Sequence, residues 1–263
     1  MVKAPGTEVH PTAVLSPEVE LGPGATVGPY AVLSGRVRVG AGTRIGSHVV
    51  IEGEAEIGRA TQIHAHAVIG TAPQDLKYQG EPTRLTIGDQ CVIREFASVN
   101  RGTAGGGGHT LLGHRVVVMA YAHVAHDCVL HDDVILANQS ALAGHVVLES
   151  HAIIGGLTGI HQFVRIGRHA FVGACSAVLQ DIPPFVKAQG NLAKPFGLNT
   201  VGLRRHGVRP ETVAALRRAY RLLFKAGLNT SQALDRIAAE VPPCPEVDAL
   251  VEFIKRSHRG ISK

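Results

Sequence analysis

The sequence predicts an all-β solenoid, a parallel β-helix of hexapeptide repeats, closed by a small C-terminal α-helical domain. Three observations predict it. An aliphatic residue recurs every six positions, as Val9, Leu15, Leu21, Val27, Leu33, Val39, Ile45, Ile51, Ile57, Ile63 and Ile69; the column resumes at Ile87, Ile93 and Val99, then from Leu112 to Val178. Glycine often follows it, as at Gly22, Gly28, Gly40, Gly46, Gly58, Gly70, Gly88, Gly113, Gly167 and Gly173. Near Asp181-Ile-Pro-Pro the period of six stops, and apolar residues then fall at helical spacing.

A period of six scatters around an α-helix, because successive members turn through about 600°. It suits a short strand followed by a turn, with glycine marking a corner that needs positive φ or close approach. Three hexads make one triangular coil, and each coil hydrogen-bonds the next about 4.8 Å along the axis. A β-sandwich spaces its turns more widely and tolerates phase drift, so it fits less well.

The solenoid is expected over residues 1–190 and the helical domain over 191–263. Two segments without hexad register, 71–85 (TAPQDLKYQGEPTRL) and 101–110 (RGTAGGGGHT), are expected as loops ejected from the coil. Rigid scaffolds tend to carry function on such loops. Gly105 to Gly108 lack the order of a phosphate-binding loop and read as a flexible surface segment. Pro183-Pro184 and Pro195 mark an extended exit. A helix starts at Pro210-Glu211-Thr212, with Val213, Leu216, Tyr220 and Leu223 on one face and Gly227 at its end. A second starts at Thr230 with Leu234, Ile237 and Ala238 inward, and a third runs from Pro245 through Val247, Leu250, Val251 and Ile254.

The chain has 263 residues, 45% of them hydrophobic and none of them Trp, as a core of Val, Ile and Leu requires. It offers no membrane span, and its start lacks the regions of a signal peptide. Cys91, Cys128, Cys175 and Cys244 are widely spaced without CxxC, which disfavours a disulfide framework or zinc ribbon and points to a reducing, cytoplasmic compartment. Residues 1–190 carry 13 Lys and Arg against 15 Asp and Glu, whereas residues 191–263 carry 13 against 6. A basic tail suits an acidic partner. Nucleic acid is disfavoured by 4% aromatic content and the absence of a binding motif.

His123-Val-Ala-His126-Asp127 lies beside the core residue Val124. Steps of 18 residues from His126 arrive beside His145 and at His161-Gln162, so three successive coils present imidazoles near one corner. Two chemistries fit such a column: a zinc site with an open position, or a general base acting on a substrate hydroxyl.

At these residues the chain resembles the UDP-N-acetylglucosamine acyltransferases, which catalyse the first step of lipid A biosynthesis. The resemblance is carried by QDLKYQGEPT at 74–83, NRGT at 100–103, AHDC at 125–128, LAGHV at 142–146, IHQF at 160–163, AQGN at 188–191 and PFGLN at 195–199. It implies a left-handed coil and a homotrimer with sites in clefts between subunits. It also implies transfer of a 3-hydroxyacyl chain from acyl carrier protein to the 3-position of UDP-GlcNAc, with no metal and no cofactor beyond the carrier's phosphopantetheine arm. His126 is then the implied base, Asp127 its orienting carboxylate and Gly144 the oxyanion donor. Asp75, Lys77, His123, His145, His161 and Gln162 are implied substrate contacts, Asn199 and Arg205 nucleotide contacts, and Ala174 and Leu192 the acyl-length ruler. The basic tail becomes a surface for the acidic carrier, through Arg204, Arg205, Arg209, Arg217, Arg218 and Arg221. Three residues depart from the family pattern: Asn100 stands for a histidine, Val201 for an acidic residue and His206 for an arginine. Another hexapeptide acyltransferase and a zinc solenoid of the γ-carbonic anhydrase type are the competing enzyme readings.

Overall fold

A computed structural model describes residues 2–263. Short parallel strands stack in register 18 residues apart, as in Val124, Leu142, Ile160 and Val178, which pair in turn. The coil winds left-handed, against the right-handed preference of parallel crossovers. Register lengthens only where loops leave the coil, so that Ile69 pairs Val99 and Val99 pairs Val124.

The aliphatic column is the core. From Leu21 to Val178 every member is at most 4% exposed, and each contributes about 1.5–3 kcal/mol of burial. A second buried column lies two residues before the first and is mostly small: Ala25, Ala31, Thr43, Thr61, Ala67, Cys91, Ala97, Ala122, Cys128, Ser140, Ala152, Thr158, Ala170 and Ser176. These small residues let the chain turn its corners.

The glycines that follow the aliphatic column are needed for close approach: a Cβ on Gly40 would stand 2.6 Å from the Gly58 carbonyl carbon of the next coil. Of these glycines only Gly70 has positive φ; elsewhere it falls three residues after the aliphatic position, mostly on larger side chains such as Tyr30, His48, His66, Phe96, Tyr121, Asp127 and His145. Left-handed backbone is unfavourable for such residues. Here stacking offsets part of the cost: the rings of Tyr30, His48, His66, Phe96 and Tyr121 form a continuous ladder with centroids 4.8–5.0 Å apart.

Both ejected segments are shorter than the sequence suggests. Thr71 ends strand Val68–Thr71, while Arg84 and Leu85 open strand Arg84–Ile87. Leu85 is fully buried, because two residues before Ile87 is the second core column. His109 and Thr110 likewise belong to strand His109–Leu112, with Thr110 fully buried. The glycine segment is also not a free surface loop: Ala104–Gly106 form a 3-10 turn capped by the Thr103 side chain.

Strand Val186–Gln189 joins the last coil, and Lys194–Leu198 pairs antiparallel with it, so a hairpin straddles residue 190. Four helices follow: α1 (Thr200–Arg205), α2 (Pro210–Phe224), α3 (Thr230–Glu240) and α4 (Pro245–Lys255). Of these α1 was not foreseen. In α3 the inward alanine is Ala233, whereas Ala238 is exposed, and α4 also buries Phe253. The tail closes the end of the coil. Ile261 bridges to Asp181, whose carboxylate accepts from Ser257 Oγ and the Arg165 N–H, and the Arg165 guanidinium lies over Phe253.

Candidate active site

Two imidazoles of the histidine column, those of His126 and His145, approach one buried carboxylate, whereas His161 stands outside on the exposed surface. Asp127 takes positive φ at the corner after strand His123–Val124, and its N–H donates to Thr110 Oγ1 at 2.8 Å. Its side chain is 1% exposed. Three donors satisfy it: the Thr103 N–H reaches Oδ1 at 2.9 Å, while Thr103 Oγ1 and His126 Nδ1 reach Oδ2 at 2.6 and 2.8 Å. A carboxylate only accepts, so Nδ1 carries the imidazole proton and His126 Nε2 keeps its lone pair.

Gly144, one coil above His126, makes room for that ring. A Cβ on Gly144 would stand 2.4 Å from His126 Cε1 and 2.7 Å from Nε2. The Gly144 N–H meets no acceptor among the described residues. The Gly144 backbone, with an unpaired N–H, thus lies against a ring that keeps a lone pair on Nε2, the kinds of group that proton abstraction and oxyanion stabilisation use.

His145 packs edge-on against His126, lies flat on Phe163 at 4.3 Å, and places Nε2 3.8 Å from Asp127 Oδ2. Burial holds its pKa below the usual imidazole value, and the Asp127 charge opposes the shift. His123 is bound through Nδ1 to Ser98 Oγ at 2.7 Å; burial, then the nearby His126, lowers its pKa. Both favour the neutral form. Asp75 caps its own loop by accepting the Lys77 N–H, and its charge is felt at His145. Lys77, His161 and Gln162 are exposed, with His161 Nδ1 turned to the Gln162 carbonyl.

The tail residues lie apart from this cluster. Asn199 is spent structurally, capping α1 through the Gly202 N–H and donating to the His169 carbonyl. Arg205 is exposed in the last turn of α1. His206 ends α1 against His151 and His169, with ring centroids at 4.4 and 4.8 Å. Val201 is 56% exposed, and Asn100 is buried with its Nδ2 on Thr71 Oγ1 and the Ala72 carbonyl. Ala174 and Leu192 are both exposed near the final coil.

His126, Asp127 and His145 offer ligand atoms within 4.8 Å of one another. Three of the roughly four acceptor sites of the Asp127 carboxylate are used by Thr103 and His126, and the His126 nitrogen nearest to it is engaged in one of those bonds. Cys91 and Cys128 are corner fillers, their thiols pushed up by burial to about 11 and about 12, which removes them as nucleophiles. Sequence reasoning missed Thr103, Thr110, Ser98 and Gly106. The density of glycine in the second loop was the available signal for Gly106, whose Cβ would stand 2.1 Å from Asp127 Cγ.

A family model described as UDP N-acetylglucosamine O-acyltransferase, domain 2, matches residues 181–262. The acyl-(acyl-carrier-protein)–UDP-N-acetylglucosamine O-acyltransferase of Alkalilimnicola ehrlichii is 52% identical over 193 residues, 73% of this chain and 75% of the relative. The enzyme of the same name from Thiobacillus denitrificans is 49% identical over the same shares. Among solved structures, UDP-N-acetylglucosamine O-acyltransferase from Moraxella catarrhalis superposes with a TM-score of 0.93 at 41% identity, covering 97% of this chain and 99% of that one. The UDP-N-acetylglucosamine acyltransferase from Bacteroides fragilis gives 0.95 at 36% identity with the same coverage.

Proposed function

The chain belongs to the UDP-N-acetylglucosamine O-acyltransferase family, and from that premise we propose that it moves a 3-hydroxyacyl chain from acyl carrier protein to the 3-hydroxyl of UDP-GlcNAc, as the first step of lipid A biosynthesis. One observation supports the mechanism above the rest: the 2.8 Å bond from His126 Nδ1 to buried Asp127, which leaves Nε2 free to act as a base on a ring that packs against the Gly144 backbone.

His126 Nε2 takes the proton of the sugar 3-hydroxyl as its oxygen attacks the thioester carbonyl carbon. The new C–O bond forms, and the carbonyl electrons move to an oxyanion that the Gly144 N–H stabilises. Collapse breaks the C–S bond, and the imidazolium returns its proton to the departing phosphopantetheine thiolate. Asp127 stabilises the imidazolium throughout. The reaction needs neither an acyl-enzyme nor a metal, and its co-substrate is the acyl carrier protein. His123, His145, His161, Gln162, Asp75 and Lys77 contact substrate, while Asn199 and Arg205 reach the nucleotide, Asn199 with its backbone or after exchanging its cap.

The enzyme acts as a homotrimer in the cytoplasm, with each site shared between neighbours. Supporting this, Leu76 at the tip of the first loop is completely exposed on the single chain, and Lys77 beside it is exposed too. A neighbouring copy would cover the first and receive the second. No helix among the described residues is long and apolar enough to cross a membrane.

The test is an assay of purified protein with radiolabelled UDP-GlcNAc and a panel of 3-hydroxyacyl carrier proteins, alongside light scattering of the same preparation. Acylated nucleotide sugar and a mass three times the 27.7 kDa chain are expected. Lack of product with every donor would reject the assignment.

A further inference from the structure

We propose that Thr103 is a positioning residue for the His126–Asp127 pair, and that the glycine-rich strap over residues 101–108 is folded onto Asp127 to supply it. The proposal rests on the reading of His126 as the base. It concerns residues that the histidine column does not include, brought in by a loop that hexad register cannot place.

The hydrogen bonds have only one possible direction. The Gly106 N–H donates to Thr103 Oγ1 at 3.1 Å, so that oxygen uses a lone pair there and its single proton goes to Asp127 Oδ2 at 2.6 Å. On the same carboxylate oxygen His126 Nδ1 donates at 2.8 Å, and the Thr103 N–H fixes Oδ1 at 2.9 Å. Thr103 therefore clamps both oxygens of a carboxylate that is almost wholly buried. Burial of an unsatisfied charge is costly, and with the clamp removed the carboxylate is free to turn, carrying the imidazole with it. Small misplacements of a base cost rate steeply.

The strap is shaped for this contact. A Cβ on Gly106 would stand 2.1–2.5 Å from Asp127 Cγ, Oδ2 and Oδ1, so only glycine lets the turn sit against the carboxylate. Its ends are tied down: the Gly108 N–H donates to the Thr103 carbonyl at 2.7 Å, and the Arg84 N–H donates to the Gly108 carbonyl at 2.9 Å. Arg101, at its start, binds the Gly70 carbonyl and the Tyr78 hydroxyl. The strap is thereby joined to the loop that carries Asp75, and the base is held from the same framework as the loop.

The experiment measures kcat and both KM values for Thr103→Val, Thr103→Ser, Gly106→Ala and His126→Ala. Loss of one hydrogen bond to a charged group predicts that Thr103→Val lowers kcat by about 10–100-fold with both KM values little changed. Thr103→Ser, which keeps the hydroxyl, restores most of that loss. Gly106→Ala lowers kcat as well, by forcing the strap off Asp127, and decides the matter should Thr103→Val fail to fold. Wild-type kcat in Thr103→Val, or a serine variant as slow as the valine one, would overturn the proposal while an inactive His126→Ala leaves the base assignment standing. An active His126→Ala would overturn both.

Discussion

Gly144 stands where any side chain would strike the His126 imidazole, its absent Cβ falling 2.4 Å from Cε1. An added methyl would meet three atoms of the ring, Cε1, Nε2 and Nδ1, within 3.0 Å, and the His126 side chain is only 15% exposed. Gly144→Ala is therefore expected to displace the imidazole and lower kcat by about 10²–10⁴, the usual contribution of a general base. The aliphatic column is untouched, so thermal stability should change little. Steady-state kinetics beside a melting curve decide it, and an alanine variant with normal kcat would show that the ring is not used where it stands.

Asp127→Asn keeps the shape of the side chain and reverses half of its chemistry. The carboxylate accepts from three donors, and an amide nitrogen at either position faces donor against donor. One buried unsatisfied pair costs about 1–3 kcal/mol. The variant should melt earlier and turn over far more slowly, with His126 left in the wrong tautomer. Equal stability and rate would mean that the carboxylate charge is dispensable.

The imidazoles of His151 and His169 stack at 4.6 Å, and His206 from the end of α1 closes on both. His169 is pushed down to about 4 from 6.5, first by burial and then by the charges of His151, His206 and Arg168. Burial also lowers His151, with Asp133 opposing. Asp132 and Arg115 face the same group. Between these values the unfolded chain binds a proton that the folded chain refuses, so stability rises with pH. The contribution is complete above about 6.5 and is lost as pH falls toward 4. Melting temperatures across that window should fall, and His169→Asn should flatten the slope. An unchanged slope in the variant would assign the acid sensitivity elsewhere.

The core was legible in the sequence because one side chain in six must fill the axis of the coil, and that demand is periodic. The small corner column ending in Ser176 was just as periodic but mixes Ala, Thr, Ser, Cys and Val, so no single chemical class marks it. Helix α1 escaped because Gly202 and the β-branched Thr200 and Val201 are weak helix formers, and it forms through the Asn199 cap and packing of Leu203. His126 and His145 were found by counting coils. Thr103 was not, since its partner lies 24 residues away across a loop that follows no count. Leu85 reads as loop because the six-residue count marks only Ile87, two residues on, and not the corner position before it.

The basic face should govern use of the acidic carrier. Arg217, Arg218 and Arg221 are exposed on α2, and Glu240 engages only Arg218 among them. Attraction across solvent is screened beyond about 8 Å at physiological ionic strength. Raising salt should increase the KM for acyl carrier protein more than that for UDP-GlcNAc, and neutralising the three arginines should reproduce the effect. A carrier KM that is flat in both experiments would put the docking surface elsewhere.

Acyl length should be set where the final coil ends. Ala174 is an exposed methyl at the corner after strand Phe171–Val172, and Leu192 is 56% exposed on the segment that follows the last coil, beside Ala193, whose N–H binds the Ala177 carbonyl. Both lie on exposed surface near the last coil, as the end of an acyl groove would. Each buried methylene contributes about 0.8 kcal/mol, whereas forcing one into filled space costs about 1–3 kcal/mol. A single methyl at the groove's end is then enough to reverse a preference between neighbouring lengths. Ala174→Gly should move the optimum toward longer 3-hydroxyacyl chains and Ala174→Met toward shorter ones, read as ratios of kcat/KM across the acyl panel. If both variants keep the parent ratios, the groove ends against other residues, with Leu192 the next to replace.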